Sequence, residues 1–190
     1  MTELAERLGS AAAEGRAWKE DIRDADLKGL KAPKLDASLR RIENTEFAEA
    51  DLSGADFSDG SMKKVDFARA NLSRARLAEM SLIQVSFEQA DLSMCSGGMS
   101  DFDNVSLGGA NLDKVMLHGA RFWECDMRRA ALTGVDAEDC EFSNCDLEGA
   151  DLSGANLDGA RFVNCNLAGV TWEGARTEDA SFSDCKGPLP

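Results

Sequence analysis

From about Thr45 to Cys185, residues whose numbers end in 2 or 7 are large and apolar, and those ending in 0 or 5 are small. The units are plainest in Ala50-Asp51-Leu52-Ser53-Gly54, Ala150-Asp151-Leu152-Ser153-Gly154 and Ala155-Asn156-Leu157-Asp158-Gly159. A period of five fits neither a helix of 3.6 residues per turn nor the two-residue alternation of a strand. It requires a backbone that turns a corner every five residues. The large residue and the small one two places before it then point inward, and the other three point outward. About 28 such units run on without an insertion, and self-similarity at a fixed period is the signature of a solenoid.

These A-[DN]-L-x-x units resemble the pentapeptide-repeat family, and the resemblance covers roughly three quarters of the chain. It implies an all-β solenoid: a right-handed, four-sided β-helix of about seven to eight coils with one unit per side. Four units per coil place residues twenty apart in columns, and the columns have separate characters. One small column reads Val65, Val85, Val105, Cys125, Cys145, Cys165, Cys185; another runs from Ala50 through Ala150 to Val170. Among large residues, Leu52, Leu72, Leu92, Leu112, Leu132 and Leu152 form one ladder ending at Trp172, and Phe102, Phe122, Phe142, Phe162 and Phe182 form another. Stacked coils ~4.8 Å apart select for such likeness, and seven of them make a rod ~34 Å long.

The first residues follow another pattern. Thr2 is placed to cap an α-helix whose apolar stripe is Leu4, Leu8, Ala11 or Ala12, Trp18 and Ile22, against the weakening effect of Gly9 and Gly15. The expected organisation is a helical cap over residues 1–22, the β-helix over 23–185 and a tail over 186–190. The cap covers the open end of the core; the rival role for this helix is dimerisation or a partner contact through Trp18. Leu30/Ala32 and Leu35/Ala37 keep the spacing with the sizes exchanged, and with Pro33 among them the first coils are expected to be distorted.

Composition excludes several classes. No apolar run reaches the ~18 residues of a membrane span, and no basic stretch followed by an apolar one opens the chain, so the expected location is the cytoplasm. Cys95, Cys125, Cys140, Cys145, Cys165 and Cys185 all fall on the small inward register, as buried hydrophobes rather than disulfides or a metal site. His118 is the one histidine, in an outward position, and nothing at matched spacing supplies a nucleophile with an oriented base. The expectation is a protein with no enzymatic activity, no metal and no cofactor.

Irregularities mark the candidate surfaces. Gly97, Ala137 and Thr177 occupy large-residue positions on one side, which is therefore under-filled. Met94, Met99 and Met116 lie beside Gly97, so Met99 is expected to turn inward and Ser96-Gly97-Gly98-Met99-Ser100 to kink, the alternative being a methionine binding patch. Trp123, with Ile83 and Val163 two coils away in its column, is a second apolar candidate on an otherwise polar face.

The formal net charge is −14. Lys63, Lys64, Arg69, Arg74 and Arg76 belt one coil, whereas residues 135–185 carry twelve acids against Arg161 and Arg176. Asp136, Glu138, Asp139, Asp158, Glu178 and Asp179 fall on the under-filled side. This excess amounts to ~0.8 charge per Å of rod, against ~0.6 for duplex DNA. The sequence reads as a scaffold that binds another protein, as a monomer or a homodimer, without direct contact to nucleic acid or membrane. The family resemblance adds an alternative, an acidic DNA mimic binding a type II topoisomerase, gyrase, as some members do; a second alternative is a secreted or secretion-associated effector or accessory protein. Those gyrase-binding relatives dimerise through a C-terminal helical segment, whereas this chain closes on Lys186-Gly187-Pro188-Leu189-Pro190.

Overall fold

One residue in every five bends the chain. In the computed structural model, which describes residues 2–190, each residue whose number ends in 4 or 9 from Asp24 to Asp184 has a φ near +60°, and twenty-three of them are not glycine. Left-handed backbone is unfavourable for residues with a Cβ, so it recurs here because the neighbouring coil holds it. Up to Asn164, the N–H of such a residue donates to a carbonyl about one coil ahead, as from Met94 to Asp113 (2.9 Å) and from Gly109 to Arg128 (2.9 Å). From Leu107 on, three corners of each coil are also closed locally, as where the Ala110, Val115 and Ala120 amides donate to the Leu107, Leu112 and Leu117 carbonyls; in the coils before it two are.

The corners stack the coils into a parallel β-solenoid of about eight turns. One side is a continuous sheet, formed in chain order by β1 (Ile22–Arg23), β2 (Arg41–Glu46), β3 (Ser61–Asp66), β4 (Ser81–Ile83), β5 (Asp101–Asp103), β6 (Arg121–Trp123), β7 (Glu141–Ser143), β8 (Arg161–Val163) and β9 (Ser181–Ser183). Partners stand twenty residues apart throughout, as in Phe102↔Phe122 and Phe122↔Phe142. The other sides pair through single bridges at the same spacing, such as Asp91↔Asn111 and Ser96↔Met116.

The inward columns are filled by like residues. The rings of Phe102, Phe122, Phe142, Phe162 and Phe182 lie nearly parallel, with centroids 4.5–5.0 Å apart. A second ladder, Phe47, Phe67 and Phe87, occupies the adjacent side at 5.1–5.2 Å. Each such pair adds about 0.5–1.5 kcal/mol beyond area burial. The ladders exchange places: where the second side holds Phe87, the sheet side holds Leu82, and where the sheet side holds Phe122, the second holds Met127. The turn between Phe87 and Phe102 contains both rings, and Gly97 stands in it. A Cβ there would meet Leu117 Cδ2 at 3.1 Å and Phe102 Cζ at 3.8 Å.

Those two side chains, not Met99, fill the space above Gly97; Met99 is 62% exposed. The backbone does not kink. Ser96 pairs with Arg76 and Met116, and the Gly97 amide donates to the Met116 carbonyl at 2.7 Å. Nor are the first coils distorted: Leu30, Ala32, Leu35 and Ala37 are all buried, and Lys31↔Asp51 and Asp36↔Asp56 keep the twenty-residue register. Exchanging a large and a small inward residue conserves the volume of a unit, so the backbone need not respond.

The preference for Asp or Asn before the inward leucine has a local cause. Their Oδ1 atoms accept from the amide two residues on, as at Asp51/Ser53, Asp91/Ser93 and Asn111/Asp113. Asparagine in the next coil donates sideways to the aspartate, as from Asn111 to Asp91 (3.0 Å) and from Asn156 to Asp136 (3.0 Å). Interleaving the amide spares the column from stacking carboxylates one rung apart.

At the N-terminus the helix α1 spans Glu3–Ala13, with the Thr2 side chain accepting from the Ala5 amide. It is shorter than the apolar stripe suggests. Gly15, at φ 63°, and Arg16 donate back to the Ala12 and Ala11 carbonyls and stop it. Trp18 and Ile22 therefore follow the helix, Ile22 as the start of β1. Ala5, Leu8, Ala11 and Ala12 are buried and join the solenoid core. At the far end Trp172, Ala175, Phe182 and Cys185 are only partly buried, and Trp172 Nε1 donates to the Pro188 carbonyl at 3.2 Å.

All six cysteines are free. Burial pushes the Cys95 and Cys140 thiols up to about 12, and the hydrogen bond with Cys125 together with burial does the same for Cys145. Cys185 differs from the expected set because it lies in the last, partly exposed coil. A thiol reagent near pH 8 is therefore expected to modify Cys185 first, a reaction lost in Cys185→Ser, while the other five wait on unfolding. Fast modification of all six would contradict the inward register.

Candidate protein-binding surface

On the sheet side, the residues flanking each inward side chain point outward in two columns. One reads Asp101, Arg121, Glu141, Arg161, an alternation of charge along the rod. Arg121 donates twice to Asp101, from Nε at 2.6 Å and Nη2 at 3.1 Å. The other column holds Trp123, 51% exposed at the centre of this flat face. Trp123, Ser143, Asp103 and the Arg121–Asp101 pair line one shallow depression. Ser143 is 6% exposed despite its outward position. Ile83 and Val163 share the Trp123 column but are half-buried, and Asp103 and Ser143 separate them from the indole. The apolar feature is thus one aromatic residue in a charged setting, not a stripe.

The side that carries Gly97, Ala137 and Thr177 collects both remaining candidate groups. Met94, Met99 and Met116 are exposed, at 46%, 62% and 54%. Met94 and Met99 sit at successive corners of one coil, and Met116 on the coil after it. Met99 lies over the next coil, its Sδ 2.8 Å from where a Cβ would stand at Gly119. Leu39, 63% exposed at an equivalent corner three coils earlier, is an apolar residue that the repeat pattern hides, because all corner residues point outward whatever their chemistry.

Of the six acids on this side, Glu138, Asp139, Glu178 and Asp179 are exposed. Asp136 and Asp158 are half-buried and committed to the fold. Asp136 accepts from Asn156, and Asp158 pairs with Arg176 and accepts from the Glu178 amide at 3.0 Å. His118 is exposed beside Glu138 and Asp139. Among the described residues no helix is long and apolar enough to cross a membrane.

A pentapeptide repeat region matches residues 115–187, and pentapeptide repeats match residues 41–74 and 61–96. No curated protein matches the sequence. Among solved structures, a trypsin-treated, singly substituted form of QnrB1, a plasmid-mediated fluoroquinolone resistance protein, is similar with a TM-score of 0.50 and 19% identity over 85% of this chain and 91% of that one. HetL, a pentapeptide repeat protein involved in heterocyst differentiation regulation in the cyanobacterium Nostoc, is 24% identical over 90% and 92% of the two chains, with a TM-score of 0.34. A pentapeptide repeat protein of the Arabidopsis thaliana thylakoid lumen is 24% identical over 49% of this chain and 67% of that one, with a TM-score of 0.46. With its five-residue units, its twenty-residue columns and two family models that together match more than half of its length, the chain belongs to the pentapeptide-repeat family.

Proposed function

We propose that this protein is a non-enzymatic scaffold for protein–protein interaction, and that its sheet side, centred on Trp123, is the docking surface. The observation that carries the reading is the exposed indole on a flat sheet, flanked by the Asp101–Arg121 pair. Tryptophan and arginine are the residues that most often anchor interfaces. A rigid sheet also presents them at little cost in ordering. The reading has the partner in the cytoplasm, in keeping with six free cysteines. Trp123→Ala is expected to weaken a captured partner by at least about 2 kcal/mol, roughly thirtyfold, without changing the melting curve. Unchanged affinity would remove the sheet side from consideration.

A second reading rests on the acidic side: a DNA mimic that occupies the duplex-binding surface of a type II topoisomerase such as gyrase. It is supported by the four exposed acids Glu138, Asp139, Glu178 and Asp179 in two columns, since rows of negative charge steer association with basic surfaces. On this reading the purified protein inhibits gyrase supercoiling at micromolar concentration, and changing those four residues to Asn or Gln abolishes the inhibition. Absence of inhibition, or inhibition that survives neutralisation, would dismiss it.

A further inference from the structure

The single histidine of this chain stands where the twenty-residue stacking brings it against two carboxylates. His118 and Glu138 occupy the same outward column on successive coils, and Asp139 is the corner residue next to Glu138. One ligand atom from each of the three lies within 4.8 Å of the others. We propose that His118, Glu138 and Asp139 form a binding site for a divalent transition cation of the Zn²⁺ class, clipping two adjacent coils together on the outside of the solenoid.

Three features of the site favour a cation. First, among the described residues none of the three side chains takes part in an ion pair or a side-chain hydrogen bond, although the acid one coil on, Asp158, is paired with Arg176. Two carboxylates at this separation repel each other, and a cation between them reverses the sign of that interaction. Second, the column of Asp139 carries Gly119 before it and Gly159 after it. The absent Cβ at Gly159 leaves room for the Asp139 carboxylate, which lies over it, while the Met99 thioether lies over Gly119. Third, the donor set selects the metal. An imidazole nitrogen with two carboxylate oxygens suits Zn²⁺ and its neighbours, whereas Ca²⁺ and Mg²⁺ favour oxygen-only shells.

The backbone makes the site stiff. The Met99 and Gly119 amides donate to the His118 and Glu138 carbonyls at 3.0 Å each, so the three ligands ride on adjoining rungs of one ladder. Bound metal would therefore tie one coil to the next without moving either. The site also lies on the acidic side, and occupation would remove two of its four exposed negative charges from the surface that the mimicry reading needs.

The test uses the full chain and zinc chloride alone. Titration calorimetry is expected to give one site, and the imidazole resonances of the protein, which belong to His118 alone, are expected to shift in step with it. His118→Gln and Glu138→Gln are each expected to weaken binding by more than about tenfold, while Glu148→Gln, a distant exposed acid, leaves it unchanged. All three substitutions are at exposed positions, and thermal melts verify that each variant is folded. Zinc binding that ignores the His118 and Glu138 substitutions would overturn the proposal, as would the absence of binding at millimolar zinc. Calcium that bound equally well and moved the imidazole resonances as far would overturn the assigned donor chemistry.

Discussion

Every turn of this solenoid must enclose the same volume, because backbone hydrogen bonds fix the coils one rung apart on all four sides. That constraint explains details that look arbitrary one residue at a time. When the phenylalanine ladder leaves one side after Phe87 and resumes on the next at Phe102, Gly97 falls in the turn that holds both rings. Leu30 and Ala32 exchange sizes within one unit and the coil does not change shape. The left-handed corners obey the same constraint. Residues such as Arg74, Gln84 and Met94 accept an unfavourable conformation because each amide is held by the coil ahead.

The period of five carries most of the architecture: which residues face inward, the twenty-residue columns, and the phenylalanine ladder from Phe102. What it misses are compensations across sides. The under-filled position at Gly97 suggests a kink and an inward Met99, but the vacancy is taken up by Phe102 and Leu117, which belong to another side and another coil. A count along one column cannot see a ring arriving from its neighbour. The apolar stripe makes the N-terminal helix too long because Trp18 and Ile22 fit it, although Gly15 stops the helix in a left-handed cap. The end effect on Cys185 is likewise invisible to a repeat in which every cysteine occupies an equivalent position.

The surface is less legible than the core. Outward positions tolerate any soluble residue, so Trp123 stands out in the sequence by its type alone, and only the sheet shows that it sits alone among charges and apart from Ile83 and Val163. The acids divide in the same way. Asp136 and Asp158 are engaged by Asn156 and Arg176, and the remaining four are exposed. With its interior filled by side chains, the molecule presents chemistry only through what its columns display, and twenty-residue stacking turns distant residues such as His118 and Glu138 into neighbours.

An unbroken ladder of coils underlies all of these features, and native-state amide hydrogen exchange tests it most directly. Amides of the interior coils, including Gly97 and Met99, are expected to be protected to a similar degree, with protection falling only in the helix and in the last coil beyond Val170. Exchange at residues 96–100 that is orders of magnitude faster than in the coils on either side would show that the ladder is broken there and contradict the constraint of equal, continuously bonded turns.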